Sequence, residues 1–476
     1  MKEKGSTAQC DHEREDIEKK LMAFGLVPRR LRSAVAESWA RSGHWSPLSL
    51  AQTLNGVKLA VKRAERDNHF MYTAAVDRGD GLLLPDSEER PAEIEVLAED
   101  FFAGLATVKG DSSYSYFTAP VQWQELLVKA PGWESLACSD VGDDPRAMRP
   151  WLQLWAADGG ACTQAHYDVA DNVFVQLSGS KEFLLWPPQH SAALHLFPDA
   201  HPRARKSQLC IGDPDLCRHP LAAALPPPIR ILLQPGDALA VPAFWFHHVT
   251  SITPCVSLNV FSESPCKLAA AELLGLPLAL HESWPIELKR QGLEVVVRAL
   301  HEAISTPPVP LIDQILGSRL APLALPTIDT AARGPDSAES GMPSASGRRR
   351  RRKRAPAAPD HVTGLLPVLQ EHAAECALAI QRLEAAVGEA ALAYDARWLQ
   401  ATQPGGCQVI LEGAESLGAR QSDDVAHAAM GSAEAHFGAL RDLTLMHAIE
   451  LWVVRLFGPA RLEGELAELR RALCSG

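Results

Sequence analysis

The sequence predicts a mainly β core flanked by helical and mixed regions, and three observations carry that prediction. Between residues 151 and 263, WLQLWAA, NVFVQLSG, KEFLLWPP, IRILLQPG, DALAVPAFW and CVSLNVF are short runs rich in β-branched and aromatic residues. Turn signals such as Gly179, Pro187-Pro188 and Pro235-Gly236-Asp237 separate them. No helical stretch intervenes, which selects an all-β sandwich or small barrel over βαβ units.

The chain has 476 residues, 46% of them apolar, enough for two or three domains and a sizeable core. Residues 1–44 are expected to be a helical segment, with Leu21, Phe24, Leu26, Leu31 and Val35 spaced among charges and Pro28 interrupting the pattern. Residues 45–150 mix both types: VKLAVKRA (57–64) and HFMYTAAV (69–76) look like strands, and EIEVLAEDFFAGLATV (93–108) looks helical. Residues 151–264 are the β core. Residues 265–320 turn helical, through KLAAAELLGLPLALHESW and IELKRQGLEVVVRALHEAI, and either pack on that core or form a homodimer interface. Residues 321–360 have the Ala, Pro, Ser, Gly and Arg composition of a disordered linker. Residues 361–476 read as a helical C-terminal module, with helical periodicity over 362–396 and 424–474.

The net charge is −12, yet Arg348 to Arg354 is an unbroken basic run, so the remainder is more acidic still. That excludes a broadly basic surface coating nucleic acid and leaves only local polyanion contacts. The run itself is a solvated linker block, a localisation signal or an RNA-contacting arm. Ten scattered cysteines form no CxxC pair, which argues against a zinc ribbon and a disulfide-stapled secreted domain. No stretch has the roughly 18–20 uninterrupted apolar residues of a membrane span. The charged N-terminus lacks the apolar segment of a secretory signal. An intracellular protein of the cytoplasm or nucleus, without membrane contact, is expected.

The chemistry concentrates in AHYDVADNVFVQLSGSKEFLLWPP (165–188). Residues i and i+2 of a strand share a face, so His166 and Asp168 can both aim at one metal. A second histidine would complete a facial triad suited to Fe(II), with positions left open. His247 and His248, in PAFWFHHVTS, are the candidates. The alternative is a hydrogen-bonded His166 and an edge-strand histidine pair. Lys181 begins an aliphatic strand, where an inward ammonium needs an anion. It either faces solvent beside the turn or neutralises the far carboxylate of a dicarboxylate co-substrate.

HYDVADN, GSKEFLLWPP, GDPDLCRHP, PGDALAVPAFWFHHV and CVSLNVF together resemble the core motifs of the JmjC (cupin-like) 2-oxoglutarate oxygenases. Within that family the likeness is to the small hydroxylases, of the tRNA wybutosine type and the asparaginyl type, and not to the chromatin demethylases. It covers roughly residues 45–265 and is specific over 151–263. The resemblance implies a double-stranded β-helix (jelly-roll, cupin) core, with Fe(II), 2-oxoglutarate as co-substrate, and O₂. It implies His166, Asp168 and His247 as metal ligands, His247 being the first residue after Trp245-Phe246. Lys181 and Thr163 match groups that bind the co-substrate's distal carboxylate, and Asn172 and Asn259 match polar positions lining its pocket. The family's tyrosine upstream of the first ligand is missing from WESLACSDVGDDPRAMRP. Either Tyr114 or Tyr116 substitutes, or Lys181 and Thr163 act alone.

Hydroxylation of a modified tRNA base is the function this likeness implies first. A protein side-chain (asparaginyl-type) hydroxylase fits the acidity better, and a JmjC-like binding protein without turnover is the third reading.

Overall fold

The structure, a computed structural model, describes residues 26–31, 33–65, 68–70, 84, 91–106, 113–138, 144–323, 358–359, 361–400, 409–410 and 433–475. The basic run 348–354 and nearly all of the expected linker lie outside the described residues, as does most of the N-terminal segment.

Fourteen strands are described. They are β1 (Arg29–Leu31), β2 (Lys58–Glu65), β3 (His69–Phe70), β4 (Ala92–Leu97), β5 (Ser113–Pro120), β6 (Trp151–Ala157) and β7 (Cys162–Tyr167). There follow β8 (Asp171–Ser178), β9 (Lys181–Trp186), β10 (Ile229–Leu233), β11 (Ala238–Val241), β12 (Phe246–Ser251), β13 (Cys255–Ser262) and β14 (Val409–Ile410). They form two sheets, in the orders β14-β1-β11-β8-β13-β6-β5-β2-β4 and β10-β9-β12-β7-β3. From β6 to β13 the chain passes repeatedly from one sheet to the other, which is the expected jelly-roll. Pairing is antiparallel except between β3 and β7.

The near-complete burial of β8 and β13 follows from their central places, where both faces are covered. An apolar cluster joins the sheets: Phe174 of β8 meets Phe183 of β9 edge-on, with ring centroids 4.8 Å apart. The hairpin between β8 and β9 turns on Gly179, whose φ of +69° suits glycine. A Cβ there would lie 2.1 Å from the Pro254 carbonyl oxygen. Gly179→Ala is therefore expected to cost about 2–4 kcal/mol, read from the urea midpoint. An unchanged midpoint would show that this turn is not so constrained.

Two expectations are corrected. The N-terminal segment is not continuously helical, because Leu31 belongs to β1, which pairs with β11. The helix starts only at α1 (Ala34–Arg41), capped by the Ser33 hydroxyl accepting from the Ala36 amide at 3.3 Å. The second is EIEVL, which forms β4 before helix α3 (Ala98–Leu105) begins; α2 is Pro47–Thr53. Ile94 and Val96 alternate with Glu93 and Glu95, a period of two that pairs with β2.

After the barrel come α4 (Pro265–Gly275), α5 (Ile286–Ile304), α6 (Leu366–Gln400), α7 (Ala433–Phe457) and α8 (Leu462–Ser475). The helical reading of 424–474 breaks at Gly458-Pro459, which separates α7 from α8. α6 packs on α4 and α5, and α7 on α6. Leu443, Met446 and Trp452 of α7 belong to the same continuous apolar core as the barrel. Among the described residues no single helix is long and apolar enough to cross a membrane.

Candidate metal centre

β7 and β12 are neighbours, and His166 lies directly opposite His247 in their register. Their ring centroids are 4.2 Å apart. Asp168 stands one residue past the end of β7, where its backbone carbonyl accepts from the Phe244 amide at 2.7 Å. Its Oδ2 lies 3.6 Å from His247 Nε2. The ligand atoms of the three side chains fall within 4.8 Å of one another, the one such group of His, Cys, Asp or Glu among the described residues.

Both imidazoles are oriented in the same way. Nδ1 of His166 lies 2.7 Å from the Gln164 carbonyl oxygen, and Nδ1 of His247 lies 3.1 Å from that of Trp245. A carbonyl only accepts, so each Nδ1 carries a hydrogen and Nε2 is the nitrogen left to face a metal. Nε2 of His247 is buried without a hydrogen-bond partner among the described residues. Burial, reinforced by His247, pushes His166 down to about 3, so its ring is neutral near pH 7. Burial acts to raise Asp168, but His166, His247, Arg205 and Lys206 outweigh it and hold the carboxyl below its usual value. Two imidazoles with Nε2 turned inward and one carboxylate fit a divalent transition metal with open positions. His248 does not join them; its Nε2 lies 3.1 Å from Cys162 Sγ instead.

Three residue steps of β7, from Thr163 to His166, match only two of β12, from Val249 to His247. That bulge is why Thr163 and His166, three apart in sequence, both line one cavity of about 520 Å³. Lys181 lines it too, only 5% exposed. Its Nζ donates across the barrel to Ser257 Oγ at 2.8 Å, and it has no carboxylate partner among the described residues. Burial lowers its pKa. An isolated buried ammonium is costly, and an arriving anion relieves that cost.

Asn172 on β8 and Asn259 on β13 are buried, and neither lines the cavity surface. Both amides lack hydrogen-bond partners among the described residues. Tyr116 supplies the hydroxyl that the segment before β6 lacks: it lines the cavity, with its OH 3.3 Å from Thr163 Oγ1. Tyr114 instead packs over Gly160. The signal was present in SYSYFTAP, since Tyr116 and Thr118 share a strand face and both reach the cavity. The excursion of residues 121–150 between β5 and β6 hid it, although the two strands pair directly.

The cupin-like domain family matches residues 31–267. The tRNA wybutosine-synthesizing protein 5 of Homo sapiens is 36% identical over 117 residues, 24% of this chain and 32% of that protein. The Gallus gallus protein of the same name is 36% identical over 176 residues, 37% of this chain and 47% of its own length. The bifunctional peptidase and (3S)-lysyl hydroxylase JMJD7 of Homo sapiens is 24% identical over 254 residues, 49% of this chain and 76% of that protein. The chain thus spans less than half the length of these wybutosine-synthesizing relatives.

Proposed function

The chain carries a cupin-like domain of the JmjC family at residues 31–267, an oxygenase-type domain, and from that premise we propose a hydroxylase dependent on Fe(II) and 2-oxoglutarate. The observation that carries the reading is a metal-competent His166–Asp168–His247 cluster in the same cavity as a buried lysine with no carboxylate partner among the described residues.

His166, Asp168 and His247 would hold the metal, presenting two Nε2 nitrogens and one carboxylate. Lys181 would neutralise the far carboxylate of 2-oxoglutarate, with the Tyr116 and Thr163 hydroxyls as further donors. Asn172 and Asn259 stand in a supporting role near that pocket. Fe(II), 2-oxoglutarate and O₂, when bound, supply the oxidising chemistry that hydroxylates a C–H bond. Phe70, Trp155 and Phe174 line the cavity and keep it largely apolar, excluding water around the charged groups. The protein's contribution is thus geometric: it positions one C–H bond beside the metal.

The substrate reading supported by the motif likeness and by the wybutosine-synthesizing relatives is a modified tRNA base. A protein side chain is the second reading, favoured by the acidic chain and by the longer alignment to a lysyl hydroxylase. Anaerobic titration with Fe(II) and 2-oxoglutarate tests the proposal. The metal-to-ligand charge-transfer band is expected in the wild type and absent in His166→Ala. A folded wild type without the band would leave a binding protein. Assays on modified tRNA and on asparagine- or lysine-containing peptides would then separate the two substrate readings.

A further inference from the structure

A second pair of histidines is buried apart from the metal centre. His195 and His219 stand towards the two ends of the long connection between β9 and β10. Their ring centroids are 5.1 Å apart and their planes cross at 71°. Neither ring lines the metal-centre cavity or a second cavity of about 420 Å³ between the barrel and α7. Nε2 of His195 and both ring nitrogens of His219 are buried without a hydrogen-bond partner among the described residues. Such nitrogens are costly to bury, and two phenylalanines would fill the space without that cost.

The backbone is strained at the same place. His195 has φ +45°, a left-handed conformation unusual for a residue with a Cβ. It is held there by its amide, which donates to the Ala192 carbonyl at 3.1 Å, and by its carbonyl, which accepts from the Gln208 amide at 2.9 Å. Nδ1 of His195 lies 2.9 Å from the Ser318 carbonyl oxygen, on the π-helical turn Ile315–Leu320. That contact puts the hydrogen on Nδ1 and leaves Nε2 free. Burial lowers the pKa of both rings, so both are neutral near pH 7 and each offers a lone pair. The charges acting on His219 oppose each other, Arg218 against Asp215, and Arg218 is tied by Nε to the Pro322 carbonyl at 2.7 Å.

The ring spacing selects a coordination angle. Imidazole nitrogens about 2 Å from one ion put the ring centroids about 6 Å apart when opposite, about 5 Å apart at a tetrahedral angle and about 4.5 Å apart at a right angle. His195 and His219, at 5.1 Å, match the tetrahedral case, whereas His166 and His247, at 4.2 Å, lie nearer the right angle of a six-coordinate ion. We propose that His195 and His219 form a second metal site, for a four-coordinate divalent ion of the zinc type. No third His, Cys, Asp or Glu completes a group with them among the described residues, so water occupies at least one position. Gln208 is the neighbouring oxygen donor: its Oε1 is buried without a partner, and its Nε2 is anchored on the Arg319 carbonyl at 2.9 Å. The ion staples the two ends of the connection to each other and, through His195, to the turn at Ser318.

The test is Co(II) titration of the full chain, followed by visible absorption. Four-coordinate Co(II) absorbs strongly, and six-coordinate Co(II) only weakly. Wild type is expected to bind two equivalents, one of them with the strong band, and Zn(II) is expected to displace that band. His219→Phe keeps a ring of similar size without a ligand atom. It is expected to lose the strong band, with Co(II) affinity at this site down about 100-fold, and to keep the weak one. His195→Asn, which suits the left-handed backbone, is expected to give the same loss from the other side. His166→Ala is expected to do the reverse, so failure here and failure of the hydroxylase reading are read from different bands. Circular dichroism matching wild type excludes misfolding as the cause. A single equivalent in wild type overturns the proposal. So does a strong band that survives in both His219→Phe and His195→Asn, or one that vanishes in His166→Ala.

Discussion

Lys181→Met is expected to weaken 2-oxoglutarate binding about 100- to 1000-fold, equivalent to about 3–4 kcal/mol, while leaving the ligand-free protein at least as stable as wild type. The two effects have one cause. In the ligand-free barrel the ammonium is buried with only the Ser257 hydroxyl as a hydrogen-bond partner among the described residues, and burial lowers its pKa. A lysine whose folded pKa is lowered holds fewer protons folded than unfolded, so stability rises with pH up to the ordinary value of 10.5. The wild type should therefore gain stability on going from neutral pH towards 10.5, and this lysine's share of the gain should be missing in Lys181→Met. Methionine fills similar volume without a charge, so the apo variant loses the penalty and keeps the packing. With 2-oxoglutarate present the order reverses, because only the wild type can neutralise the distal carboxylate. Thermal unfolding with and without the co-substrate, at two pH values, reads all of this. A variant that binds 2-oxoglutarate like wild type would remove Lys181 from the site.

Arg319→Leu is expected to destabilise the protein by about 3–5 kcal/mol. Arg319 is 2% exposed and donates at 2.7 Å to both Asp199 and Glu450. Glu450 also accepts from the Asp199 amide, so one arginine ties α7 to the loop beside the metal centre. Removing it leaves two buried carboxylates facing each other. Burial raises Glu450 to about 7 even with the arginine in place. An acid whose folded pKa is raised contributes stability below its unfolded value of 4.5 and loses it as pH rises through the folded one. Losing Arg319 raises that folded pKa further, so the variant's deficit should be largest near pH 8 and shrink towards pH 5. Urea midpoints at both values check this; a deficit independent of pH would mean that the carboxylates are not the source.

The parts of the site carried by local spacing were legible in the sequence. The HxD step gave two candidate ligands and left His247 and His248 open; the family likeness favoured His247, which the register places opposite His166. Thr163 is different: a regular strand would turn it away from His166, and only the bulge restores it. That bulge leaves no mark on composition, so family likeness alone pointed to Thr163. Tyr116 was ambiguous because β5 joins β6 only after a long excursion. Leu31 and EIEVL were misread because short strands at a sheet edge or junction carry too few residues to separate a period of two from one of 3.6. The bridge from Arg319 to Asp199 and Glu450 was invisible, because its three residues lie far apart in the chain.

The loop holding Arg205 and Lys206 is also hydrogen-bonded to the strand of the first ligand. The Tyr167 amide donates to the Arg205 carbonyl at 3.3 Å, the Ser207 amide to the Ala165 carbonyl at 2.8 Å, and Lys206 forms a β-bridge with His166. The second cavity, lined by Arg205 and Lys206, and the candidate metal centre thus share one piece of backbone. Any displacement of the loop at 205–207 is therefore felt at His166 through main-chain hydrogen bonds alone.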